Sequence, residues 1–202
     1  MSAPGTGIRT LWVALRAMLV ATVVLGIVYP LAVTGIGQLA LPWQANGSVV
    51  SANGKPVGSA LIGQSFSSAK GTPLAQYFQP RPSAAGKGYD GAASSGSNLG
   101  PSNRALVAEI AARKAQVAAL DGVNPNEIPA DALTASASGL DPHISPAYAL
   151  LQVPRVAAQR GLAESTVRRL VESKIQERDL GYLGEPTVNV LLLNIALDQL
   201  KD

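Results

Sequence analysis

A chain of 202 residues with no cysteine and a single histidine, His143, holds no disulfide, thiol nucleophile or thiolate metal site. Any metal centre would need mostly oxygen ligands, and none is expected. The formal net charge is +3, but Arg9 and Arg16 precede a hydrophobic run without acidic neighbours; the other fourteen basic residues face thirteen acids, leaving +1. With no basic face interleaved with aromatics, this balance sets nucleic-acid binding aside.

The first element is residues 17–41, a run of 25 residues without a charge. About 20 apolar residues cross a hydrocarbon core as a helix. The expected layout is a cytoplasmic tail over residues 1–10, a transmembrane helix over 11–41 and a soluble domain over 42–202. Short basic flanks stay in the cytoplasm, so the N-terminus is expected there and the soluble domain outside. Trp12 and Trp43 bracket the span as interfacial aromatics do. Pro30 removes a backbone donor and should kink the helix. Gly26, Gly35 and Gly37 leave room for a neighbouring helix and are candidate partner contacts, with lipid around the rest. A cleaved signal peptide has the same basic start, but its apolar core is only about 7–15 residues.

Beyond the span, Asn53-Gly54 signals a tight turn, since a type I′ turn needs positive φ at both central residues. A hairpin is expected, with strands near 49–52 and 57–62. Residues 77–103 are mostly Gly, Ser, Pro, Asn and Ala and read as irregular loop. Within them Pro80 and Pro82 stiffen the backbone around Arg81. A helix should start near Asn103, capped by Ser102 or Asn103, and stop at Asp121-Gly122. Leu106, Ile110, Val117 and Leu120 share a face that Arg113 and Lys114 interrupt.

Residues 128–145 form a second irregular stretch. Ser145 and Pro146 then supply a cap and a first helical residue. That helix should run towards Arg160, kinked or split at Pro154 and ended by Gly161. Another helix is expected over residues 164–175, with Val167, Leu170 and Val171 as its apolar face. The tail 186–200 suits a helix, although its β-branched start equally suits a short strand. The fold class is therefore α+β: a single N-terminal transmembrane helix, then one mixed α/β soluble domain with a β-hairpin, long Gly/Ser-rich loops and three to four helices.

Two constellations bear on chemistry. The loop S-S-G-S-N-L-G-P-S-N (94–103) precedes a helix N-terminus and resembles a phosphate cradle, but it lacks the lysine and spacing of a P-loop; capping and loop structure explain it better. Asp141 and His143, with Ser136, Ser138 and Ser145 nearby, suggest a hydrolase triad. No G-x-S-x-G elbow accompanies them, and Asp141-Pro142 reads as a turn. His143 is then a loop organiser or a partner contact, and no catalytic residue is assigned.

Six ordered stretches carry a family resemblance: V-G-S-A-L-I-G-Q-S-F (57–66), Y-F-Q-P-R-P-S-A (77–84), S-G-S-N-L-G-P-S-N (95–103), T-A-S-A-S-G-L-D-P-H-I-S (134–145), Q-V-P-R-V-A (152–157) and G-Y-L-G-E-P-T-V-N-V-L-L-L-N-I-A-L-D (181–198). With the N-terminal span, the chain resembles the C subunit of the Kdp-type potassium-transporting ATPase along nearly its whole length. Ala137 and Ser95 stand where that family usually has glycine.

The resemblance implies a non-catalytic accessory subunit of an ATP-driven, high-affinity potassium uptake pump. It would be single-pass in the bacterial inner (plasma) membrane, beside a potassium-channel-like subunit and a P-type ATPase subunit. Its implied role is to stabilise the complex and, as a catalytic chaperone, to promote ATP-coupled potassium transport into the cytoplasm. No tightly bound cofactor is implied, and ATP is the one candidate. Matched residue by residue, the family's proposed nucleotide-contacting positions are Ser138, Gly139, Leu140, Asp141, His143 and Gln152. Arg81, Asn98, Asp141 and His143 are candidate partner contacts. An extracytoplasmic domain cannot touch cytoplasmic ATP, so orientation and direct nucleotide contact are competing expectations.

Overall fold

The computed structural model describes residues 5–200; the ends of the expected tail and soluble domain, residues 1–4 and 201–202, lie outside the described residues. The chain divides into two compact units, one up to Val49 and one from Val50.

The first unit is dominated by one helical rod. Helix α1 (Gly5–Val23) passes through a π-helical turn (Val24–Val28) into α2 (Tyr29–Ala40). In that turn the Tyr29 N–H reaches the Val24 carbonyl, one residue further back than in an α-helix. Pro30 follows at once, and its ring would press on the carbonyl four residues before it in a regular α-helix. The irregularity expected at Pro30 thus takes the form of a wide turn. Within the rod, Gly7–Ala40 is long and apolar enough to cross a membrane, with none of its most apolar window buried inside the protein. This stretch begins four residues before the expected start and ends one before the expected end.

Leu41 breaks the helix with an extended φ of −137°, and the short helix α3 (Pro42–Ala45) follows. Local bonds fix this exit. The Asn46 side chain donates to Gln38 Oε1 at 3.0 Å and to the Pro42 carbonyl at 2.6 Å. The Trp43 indole donates to the Val49 carbonyl at 3.0 Å.

The second unit begins inside a hairpin of β1 (Val49–Ala52) and β2 (Lys55–Ser59). Asn53 and Gly54 both have positive φ, 51° and 73°, as the type I′ turn requires. The second strand starts and stops earlier than expected. Ser59 ends it by accepting the Leu61 N–H on its hydroxyl and the Ile62 N–H on its carbonyl.

From there to Asn103 no helix forms, and the isolated bridge Ser67–Pro73 is the one strand-like pairing. Helix α4 (Arg104–Asp121) starts on Asn103, whose side chain accepts the Ala105 N–H at 2.9 Å, and ends at Gly122 with φ 67°. Two short 3-10 turns, Pro125–Glu127 and Ala130–Ala132, lead to β3 (His143–Ile144).

Helix α5 (Pro146–Arg160) is capped by Ser145, which accepts the Tyr148 N–H, and ends at Gly161. Pro154 does not split it. Its ring faces solvent, while neighbouring Val153, Val156 and Ala157 are buried; packing of that face outweighs the cost of about 3 kcal/mol for an internal proline.

Helix α6 (Glu164–Ser173) stops short of Ile175, because Ile175 belongs to β4 (Ile175–Gln176). The tail realises both readings in succession. Residues Thr187–Asn189 form β5, and Asn189 then caps α7 (Val190–Asp198) by accepting the Leu192 N–H. Strand β5 lies at the centre of an antiparallel sheet of order β3-β5-β4, with Ile144 and Ile175 both opposite Val188. The core joins Val153 and Val156 of α5, Val167 and Val171 of α6, Leu193 and Leu197 of α7, Val188 and Phe78. From α4, Val117 is buried and Ile110 packs against this cluster, while Arg113 turns to the Leu133 carbonyl and Glu109.

Truncating Leu193 to alanine should lower the stability of the full-length protein in detergent by about 2–5 kcal/mol. Val107→Ala, on the exposed side of α4, should change it by no more than about 0.5 kcal/mol. Denaturant titration followed by circular dichroism compares the two.

Candidate functional site

Three loops meet around the motif residues. Pro80 and Pro82 flank Arg81, whose Nη1 donates to Asp141 Oδ2 at 3.1 Å. Asp141 Oδ1 accepts the backbone N–H of His143 at 3.0 Å, closing the turn expected at Asp141-Pro142, and lies 3.3 Å from His143 Nδ1. Burial alone would raise the Asp141 carboxyl. The hydrogen bonds from the His143 ring and backbone, with the Arg81 charge, outweigh it and hold the carboxyl below its ordinary value. Arg81, Asp141 and His143 line one surface hollow of about 390 Å³, together with Asp131 and Glu185.

The rest of the motif is knit backbone to backbone. The Ser83 hydroxyl donates to the Gly139 carbonyl at 2.6 Å and accepts the Tyr89 N–H at 2.8 Å. The Ser138 carbonyl accepts from the Ser95 N–H and the Ser94 hydroxyl, and the Gly63 N–H donates to the Leu140 carbonyl at 2.7 Å. Gly139 has φ 66°, and a Cβ there would lie 2.6 Å from the Ser95 carbonyl oxygen. A Cβ on Gly63 would lie 2.6 Å from the Asp141 carbonyl oxygen. These glycines let chains approach where no side chain fits. The Ser138 hydroxyl accepts the Leu140 N–H, and the Ser145 hydroxyl donates to Asp131.

The six residues matched to nucleotide contact come from two elements. Ser138, Gly139, Leu140, Asp141 and His143 share one loop. Gln152 is fully buried on α5. Its Oε1 accepts the Gln79 N–H at 2.6 Å and an Arg155 N–H at 2.7 Å, and its Nε2 donates to the Gln79 carbonyl at 3.1 Å. Among the candidate partner contacts, Asn98 is exposed with φ 53°. Gly26 and Gly35 have nothing within 4 Å of a would-be Cβ, while Gly37 faces Ala45 at 3.7 Å.

Sequence reasoning missed three buried polar residues. Arg155 donates to Asp121 at 2.6 Å and to the Tyr77 carbonyl at 2.9 Å, and also to the Ala75 carbonyl. Burial raises the Asp121 carboxyl, and the charge and bond of Arg155 pull against it. Asn194 of α7 accepts the Phe78 N–H and donates to the Phe78 carbonyl. The third is Gln79, which Gln152 pairs with. The available signal is spacing: Gln152 and Arg155 stand one turn apart on an apolar helix face, and Asn194 interrupts a run of leucines.

A family model described as K+-transporting ATPase, c chain, matches residues 11–199. The chain belongs to the KdpC family. It is similar to three proteins named Potassium-transporting ATPase KdpC subunit. That of Kineococcus radiotolerans is 57% identical over 91% of this chain and 90% of that protein. That of Caulobacter vibrioides is 55% identical over 92% and 90%, and that of Mycobacterium tuberculosis 52% over 95% and 99%. A KdpC subunit with one candidate membrane helix among its described residues fits a membrane-associated protein. Ala137 and Ser95, the two departures from the family's usual glycines, both have negative φ and so need no glycine for backbone conformation.

Two outcomes test this geometry. A carboxyl with a depressed folded pKa adds stability that is complete above its unfolded value of about 3.9 and is lost as pH falls through the folded value. The stability gap between the native chain and Asp141→Asn should therefore be present at neutral pH and shrink below about pH 4, read from denaturation midpoints. Gln152→Leu leaves the Gln79 N–H and carbonyl unpaired, and unfolding titration should register a loss of about 2–4 kcal/mol.

Proposed function

We propose that this chain is the non-catalytic accessory subunit of an ATP-driven potassium uptake pump of the bacterial plasma membrane. It stabilises the assembly of a P-type ATPase subunit with a potassium-channel-like subunit and acts as a catalytic chaperone of the former. The N-terminus lies in the cytoplasm and the soluble unit outside it, where that unit braces the channel-like subunit or caps the potassium entrance.

One observation carries this reading. The polar groups of the family motifs are engaged with one another, as in the Ser83–Gly139, Ser95–Ser138 and Gln79–Gln152 bonds. Such a set builds a rigid body rather than a reaction centre. Arg9 and Arg16, on the N-terminal side of the apolar rod, support the orientation. Direct ATP contact is the competing reading. Gln152 is its weak point, because both ends of the amide already have protein partners inside the core.

A reporter that matures only outside the cytoplasm, fused after Asp202, should be active in cells that make the whole pump. A reporter active only inside should be silent at the same position. In the purified complex, photoreactive ATP should label the ATPase subunit and leave this chain unlabelled. Cytoplasmic reporter activity, or label within residues 138–152, would overturn the reading.

A further inference from the structure

Arg81 also lines a second cavity, of about 170 Å³, separate in its lining from Asp141 and His143. Much of its wall is apolar: Pro73, Pro82, Val117 and Leu120. Arg81 and Arg113 both belong to its lining, and no carboxylate residue does.

Two polar groups on this wall lack protein partners. Tyr148 is held by its backbone N–H, which caps α5, and its hydroxyl has no protein partner but is not fully buried, so it borders the cavity space. The Arg81 Nε is buried and unpartnered. Buried polar groups almost always have a partner, and on this wall the Arg81 Nε is the exception. Here both can donate, and they share one cavity. Arg81 commits Nη1 to Asp141, and a guanidinium has five N–H groups in a fixed fork suited to a carboxylate. Arg113 is held in place by the Leu133 carbonyl and Glu109.

Size narrows the ligand. A cavity of about 150 Å³ accepts benzene, so about 170 Å³ takes one ring or a branched chain with a small head. A nucleoside triphosphate is far too large. Water alone would answer the donors but not the apolar wall, and an inorganic anion would leave Val117 and Leu120 facing a charge.

We propose that this cavity is a binding site for a small organic anion, with its carboxylate on Arg81 and Tyr148 and its apolar body against Val117 and Leu120. The site is independent of the nucleotide question, since neither Gln152 nor the loop of residues 138–143 lines it.

Benzoate is the probe, with benzamide as its uncharged counterpart and inorganic phosphate as the bare anion. All three are titrated into the full-length protein in detergent by calorimetry and amide NMR. Benzoate should bind saturably, and benzamide and phosphate each at least about tenfold more weakly. Tyr148→Phe should weaken benzoate about three- to tenfold without lowering the unfolding midpoint, because the lost hydroxyl has no protein partner. Val117→Phe, which places a ring in the cavity, should abolish binding; its fold is checked by circular dichroism. No saturable benzoate binding would overturn the proposal, as would equal binding of benzamide or phosphate. Binding unchanged in Tyr148→Phe or Val117→Phe would overturn it too.

Discussion

The soluble unit depends on how one irregular segment, residues 75–82, satisfies its own backbone. The segment passes through the interior without belonging to a sheet, and Phe78 at its centre is fully buried. Buried N–H and carbonyl groups must be paired, and here side chains stand in for a neighbouring strand. The Asn194 amide serves the N–H and carbonyl of Phe78, and the Gln152 amide serves those of Gln79. Arg155 covers the carbonyls of Tyr77 and Ala75, and Arg160 that of Gln76. Each amide offers one donor and one acceptor side, the pattern a strand edge presents. Arg81 and the prolines beside it are held because the residues just before them are.

This device trades raw stability for a single register. Three polar side chains occupy faces of α5 and α7 where leucine would bury more apolar surface. Arg155 also brings a charge inside, balanced by Asp121 at 2.6 Å, and one Asp121 oxygen has no partner. A buried ion pair of this kind is weak support for stability against an apolar replacement, whereas removing one partner is strongly destabilising. A shift of the segment by one residue would unpair both amides at once. The same bonds hold Arg81 opposite Asp141 and on the wall of the cavity lined by Tyr148.

What is legible in the sequence is what local chemistry decides. Asn53-Gly54, Asn103, Ser145, Gly122 and Gly161 act through bonds to their immediate neighbours, and each ends or starts an element as its residue type dictates. The strands β3 and β4 have two residues each and exist only because β5 lies between them. No pattern within so short a piece announces it, and Ile175 therefore reads as the end of a helix. Gln152 is hidden for the same reason: its partner lies 73 residues away, and that of Asn194 116 away. Propensity alone makes Pro154 a break, while burial on both sides of it governs.

The Gly- and Ser-rich loops pose the remaining contest, between cradling a ligand and packing on each other. Composition does not separate the two, since both need bare backbone and short hydroxyls. Geometry shows the packing at several positions. Gly139, Gly63 and Gly96 each turn their missing side chain towards another loop's carbonyl, at would-be Cβ distances of 2.6, 2.6 and 2.9 Å. A phosphate would need such a space for itself and would need free N–H groups pointing into it. The Ser95, Gly63 and Tyr89 N–H groups instead end on partners within these loops. Alanine at 137 fits the same logic, because Gly96 packs against its carbonyl rather than its side chain. At these positions the hydroxyls and glycines of the loops pack against and bond to one another, while Arg81 and Tyr148 line a cavity elsewhere.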